Sequence, residues 1–118
     1  MQKILIVDDD PDVLDTLKSI LTSRNFEVDT VSNHNNICEN IKKFHPSVIL
    51  MDVNLNGVDG RVICKGLKND QTTMDIPIIL FSGDSSIKNN YKEFLAQDFI
   101  EKPVKIQSLV QKLKGYSI

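Results

Sequence analysis

The chain reads as an α/β domain of five successive β-α units, with a parallel sheet covered by helices on both faces. Three observations predict this. Short apolar runs alternate with segments of helical period along all 118 residues. The run at 47–51 is almost continuously apolar, as a central parallel strand covered on both faces is. Charged or hydroxyl residues stand directly after runs one, three, four and five. Alternation of this kind in one small chain builds a parallel sheet with right-handed crossovers. If the strand order is 2-1-3-4-5, its functional crevice lies outside the carboxyl ends of the strands, where the order reverses.

Residues 3–8 form the first strand. Asp10-Pro11-Asp12 signals a helix start, with Asp10 as N-cap and Pro11 at the first helical position. Val13, Leu14, Leu17, Ile20 and Leu21 then recur at helical spacing, and Arg24-Asn25 stops the helix, with Asn25 as a left-handed cap. Residues 26–31 alternate like a strand with one wetter face. Ser32-Asn33 can cap a second helix carrying Ile37, Cys38, Ile41 and Phe44, which Pro46 ends. The third strand, 47–51, leads to Asp52 and a polar Asn56-Gly57 loop. Asp59 caps a third helix with Val62, Ile63 and Leu67 inward. A fourth strand covers 76–81 and ends at Ser82-Gly83. A weaker helix covers 85–95, a short strand covers 98–101 up to Lys102-Pro103, and Ile106, Leu109, Val110 and Leu113 give a last amphipathic helix.

Composition narrows the function. The chain has room for one well-packed domain, 1–118, with no output domain expected after it. A net charge of −2 gives no reason to expect nucleic acid or an anionic membrane as partner. Cys38 and Cys64 lie far apart and outside any zinc or redox pattern, so they read as free thiols of a cytoplasmic protein. No apolar stretch approaches the ~18 residues of a membrane span. His34 and His45 lack a second ligand at metal spacing and read as surface residues.

The chemistry concentrates at Asp8-Asp9-Asp10. Two carboxylates about 4 Å apart repel by roughly 4 kcal/mol at an effective dielectric near 20, so solvent, a helix N-terminus, a basic group or a metal must offset them. Asp10 is spent as a helix cap. Asp8, Asp9 and Asp52 supply hard oxygen ligands that suit Mg²⁺, or Mn²⁺, and not zinc. A carboxylate can also attack phosphorus and form an aspartyl phosphate, whose charge needs cationic and hydroxyl donors; Ser82 and Lys102 are of those types. No phosphate-cradling Gly-rich loop is present, so the phosphoryl group must come from a donor.

Four stretches, ILIVDDDPDVL, VILMDVNLNGVDG, PIILFSG and DFIEKPV, together resemble the receiver domains of two-component response regulators over essentially the whole chain. The resemblance implies the flavodoxin-like doubly wound fold. It implies that Asp8 and Asp9 help hold the metal, that Asp52 is the phospho-acceptor and that Asn54 offers a backbone carbonyl to the ion. It further implies that Ser82 and Lys102 bind the phosphoryl group and that Ser82 and Phe99 switch. The Lys102-Pro103 bond is often cis in this family. The implied donor is a histidine kinase or phosphotransfer protein, and the implied readout face is helix 4–strand 5–helix 5, turned toward an unknown downstream protein. Asn54 and Asp84 are read two ways, as groups flanking a path for attacking water, with a short-lived phosphoryl state, or as plain polar residues of their loops.

The sequence departs from the family where proline usually follows the acceptor by four residues. Asn56 stands there, before Gly57, and a more mobile loop is expected. The 83–97 stretch is about two residues short, so the fourth helix is expected short or shifted, and Val104 replaces the usual aromatic. Three other readings compete. Asp8-x-Asp10 fits a haloacid-dehalogenase-like phosphohydrolase, the fold alone fits an unphosphorylated interaction scaffold, and the topology fits an electron carrier without its phosphate loop.

Overall fold

The computed structural model describes residues 2–116; Met1, Ser117 and Ile118 of the expected domain lie outside the described residues. Five strands form one parallel sheet: β1 (Lys3–Val7), β2 (Glu27–Val31), β3 (Val48–Asp52), β6 (Ile78–Ser82) and β7 (Asp98–Glu101). The order is β2-β1-β3-β6-β7, the doubly wound 2-1-3-4-5 arrangement, with Ile6 level with Leu50 and Asp52 level with Phe81. The two remaining strands, β4 (Asn54–Leu55) and β5 (Val58–Asp59), make a small antiparallel hairpin after the central strand.

Alternation along the strands sorts the core into two layers. Ile4, Ile6, Leu50, Phe81 and Ile100 face α1 (Pro11–Ser23) and α4 (Ile106–Lys114). Leu5, Val7, Ile49, Met51 and Leu80 face α2 (Ile37–Phe44) and α3 (Gly60–Lys68). β3 and β6 are buried along their whole length, and each fully buried Ile or Leu contributes about 1.5–3 kcal/mol. Among the described residues no helix is long and apolar enough to cross a membrane.

The caps follow the sequence. Asp10 accepts from the Asp12 N–H at the start of α1. Asn25 takes φ 71° past its end, and the Phe26 and Asn25 N–H groups close back on the Leu21 and Thr22 carbonyls, a Schellman arrangement. Asp59 caps α3 through the Arg61 N–H. Asn33 caps a single 3₁₀ turn (His34–Asn36) that leads into α2. His34 and His45 are exposed, and His45 ends α2 in the left-handed region.

Four expectations are corrected. The predicted fourth helix is two 3₁₀ segments, Ser85–Asn89 and Tyr91–Phe94, broken at Asn90. The Ser, Asn and Tyr residues there have weak helix propensity, and only Ile87 among them is buried. Val62 is 61% exposed, and Cys64 takes the inward place on α3, in line with Gly60 and Leu67 at i, i+4, i+7 spacing. Cys38 faces outward from α2, whose buried stripe is Ile37 and Ile41. Residues 54–59 form a tight hairpin where the sequence leads one to expect a loose loop; Asn56 and Gly57 both have positive φ, 52° and 86°, as a two-residue type I′ turn requires.

Candidate functional site

Parallel strands bring their carboxyl ends to one rim, so residues distant in sequence meet there. β1 delivers Asp8 and Asp9, β3 delivers Asp52, β6 delivers Ser82 and β7 delivers Lys102. Asp8 is fully buried and Asp52 and Ser82 are nearly so, while Asp9 stands at the rim. One carboxylate oxygen each from Asp8, Asp9 and Asp52 lies within 4.8 Å of the others. The Lys102 Nζ bridges two of them, donating to Asp8 Oδ2 at 3.2 Å and to Asp52 Oδ2 at 3.3 Å. The same ammonium lies 4.6 Å from the centre of the Phe81 ring, where the ring face attracts a cation.

Main-chain groups orient these side chains. The Asp10 N–H donates to Asp8 Oδ1 at 2.9 Å, and the Asn54 N–H to Asp52 Oδ1 at 3.2 Å. The Asn56 N–H donates to Asp9 Oδ2 at 3.0 Å. Ser82 Oγ accepts from the Asp84 N–H at 3.0 Å, and the Ser82 carbonyl accepts from the Lys102 N–H at 2.8 Å. The Lys102-Pro103 peptide is cis, as the resemblance implies.

Burial pushes the Asp8 carboxyl up to about 6; the Asp10 N–H works against this, the Asp52 charge adds to it and Lys102 opposes it. Burial works against the Lys102 ammonium, yet the charges of Asp52 and Asp8 outweigh it and hold its pKa above the usual lysine value. Both shifts describe two buried carboxylates, Asp8 and Asp52, sharing one ammonium. Such a cluster of hard oxygen donors fits Mg²⁺ or Mn²⁺ by ligand type.

A family model for the response regulator receiver domain matches residues 4–114. The chain belongs to that family. This receiver is 26% identical over 117 residues to the heme response regulator HssR of Staphylococcus aureus; the match takes in 98% of the chain and 51% of HssR, so the receiver spans about half the length of such curated relatives. A solved Chloroflexus aurantiacus structure assigned as a response regulator aligns with a TM-score of 0.89 at 32% identity, over 98% of this receiver and 96% of that chain. The BeF₃-activated N-terminal receiver domain of Klebsiella pneumoniae RstA aligns at 0.86 and 26% identity, over 98% and 97%. The signal receiver domain of a Syntrophus aciditrophicus histidine kinase aligns at 0.87 and 30%, over 98% and 89%. The acidic pocket of Asp8, Asp9 and Asp52 fits the phosphorylation site of the family.

The receiver brings together every site residue expected at the strand ends. Phe99 is buried on the α2–α3 side and stacks on Tyr91, ring centroids 6.4 Å apart. Asp84, expected beside a water path, caps the first 3₁₀ segment, its Oδ1 accepting from both the N–H and the hydroxyl of Ser86; those bonds hold its carboxyl below the usual range. Gly60 has a role that the sequence reading missed. A Cβ there would collide with the Asp52 carbonyl oxygen, so only glycine lets α3 approach the acceptor strand this closely. The Asp59-Gly60 pair marks a helix start, but nothing local in it reveals a contact with residue 52.

Proposed function

We propose that this receiver accepts a phosphoryl group on Asp52 from a phosphohistidine donor, in a histidine kinase or a phosphotransfer protein, as a step of a cytoplasmic two-component relay. The observation that carries the reading is the Lys102 ammonium 3.3 Å from Asp52 Oδ2 inside a pocket with two further carboxylates. Asp8, Asp9, Asp52 and the Asn54 carbonyl would hold Mg²⁺, with Mn²⁺ as a substitute. Bound there, the ion would supply positive charge to the phosphoryl oxygens.

An Asp52 carboxylate oxygen attacks phosphorus, the P–N bond to the donor imidazole breaks, and the imidazole leaves with the bond's electron pair. Lys102 is placed to meet the charge that spreads over the phosphoryl oxygens, and the Ser82 hydroxyl is a donor for one of them. In a separate discharge step water attacks phosphorus, the Asp52 O–P bond breaks, and inorganic phosphate and a free carboxylate result. The domain acts as a signalling switch whose catalysis is confined to its own acyl phosphate. Ser82 and Phe99 would form the switch: Ser82 turns toward the phosphoryl group, and a move of Phe99, stacked on Tyr91, would carry the change to the 3₁₀ segments, β7 and α4, the face offered to a downstream protein.

Incubation with acetyl phosphate and Mg²⁺ tests this by intact mass. One labile adduct of about 80 Da, a single phosphoryl group, is expected, lost in Asp52→Asn. An adduct that survives in Asp52→Asn and disappears in Asp8→Asn would favour a hydrolase instead. No adduct from any donor, together with no beryllofluoride binding, would favour a scaffold.

A further inference from the structure

Each carboxylate of the acidic cluster accepts one main-chain N–H, but not from the same kind of place. Asp8 and Asp52 are served locally, by the residues two positions on, Asp10 and Asn54. Asp9 stands at the rim, and its donor is Asn56, 47 residues away. The bond therefore ties the loop after β1 to the hairpin after β3. It depends on the turn: Asn56 and Gly57, both at positive φ, close Leu55 onto Val58 and present the Asn56 N–H to Asp9 Oδ2 at 3.0 Å. A proline at 56, which the family resemblance leads one to expect, has no N–H to donate and a φ fixed near −65°.

We infer that the main-chain N–H of Asn56 is a positioning group of the cation site, fixing the Asp9 carboxylate in register with Asp8 and Asp52, and that the Asn56-Gly57 turn is what makes this donor available. The inference rests on the cation-dependent reading above. Asp9 is otherwise a partly exposed side chain with two free torsions. Left to rotate, it would have to be ordered each time an ion enters. Outer partners that orient ligands in this way are worth about 10–100-fold in metal affinity.

The test uses the full chain, made by semisynthesis with the α-hydroxy analogue of asparagine at 56, so that an ester oxygen replaces only the N–H. Mg²⁺ alone is titrated by calorimetry, with urea midpoints recorded for each protein. The ester is expected to raise the Mg²⁺ Kd by about tenfold or more. Asn56→Gly, which keeps the N–H and favours positive φ, restores affinity to within about twofold of the parent. In an Asp9→Asn background the ester has no further effect. An ester protein that is folded and binds Mg²⁺ as tightly as the parent overturns the inference. Failure of the parent itself to bind Mg²⁺ at millimolar concentration overturns the cation reading beneath it, and that result is seen before any variant is compared.

Discussion

Lys102 neutralises one charge where Asp8 and Asp52 bring two, and Asp8, the more buried, bears the imbalance. Its carboxyl titrates near 6 in the folded protein against an ordinary value of 3.8. Between those values the folded chain holds the extra proton, so the contribution of Asp8 to stability is fully present below about 4 and is lost as pH rises through about 6. Asp8→Asn removes that slope. The metal-free variant is expected to match the parent near pH 4 and to exceed it by about 1–3 kcal/mol at pH 7, while losing Mg²⁺ binding. Urea unfolding across pH 4–7.5 checks this, and a difference that stays flat with pH would refute it. Asp8, Asp9, Asp52, Ser82 and Lys102 were readable from sequence because each ends an apolar run, and strand ends share a rim. The Asn56–Asp9 bond and the Gly60–Asp52 approach were not, because each joins residues whose neighbourhood only the folded chain creates.

At the scale of elements, the strands and four helices follow apolar period and caps, and on two helices one apolar residue was assigned to the wrong face. Cys38 lies beside the buried stripe of α2 and Val62 on the side of α3 away from its stripe, and a short apolar pattern alone does not say which of its residues face the sheet. The 85–95 stretch departs further, because its sequence lacks the propensity and the buried contacts that would hold a full α-helix. Arg61 fastens it instead: its guanidinium pairs with Asp59 at 2.8 Å, reaches Asn90 Oδ1 at 3.5 Å and lies 4.9 Å from the Phe94 ring centre. The stretch closes at Leu95, a non-glycine residue at φ 66° with 42% of its surface exposed. The left-handed conformation costs a branched residue about 1–2 kcal/mol, and the side chain, 42% exposed, gives up only part of a full leucine burial when removed. Leu95→Gly is therefore expected to raise stability by about 1 kcal/mol, seen as a higher urea midpoint; a lower midpoint would show that the Leu95 side chain matters more than its backbone.

For the whole molecule, fold and site are one consequence of strand order: β1 and β3 are adjacent where the order reverses, so their terminal aspartates share a crevice. A ligand bound only by the folded crevice stabilises the entire domain. At a Mg²⁺ concentration 100 times its Kd the gain is about 2.7 kcal/mol, and calorimetric melts should show a rise in Tm that vanishes in the Asp9→Asn protein. The bridging lysine has one more consequence. Asp8, Asp9, Asp52 and Lys102 sum to a formal charge of −2, which is the net charge of the chain. Taking those four from the 14 basic and 16 acidic residues leaves 13 of each. The crevice thus carries a formal charge equal to that of the whole chain, the other 26 charges cancelling in sum. A divalent cation approaching from any side is drawn toward that point, and the attraction fades beyond about 8 Å at physiological salt. With a divalent cation seated there the formal charges of the chain would sum to zero, and an incoming anion would meet a weaker repulsion in the crevice.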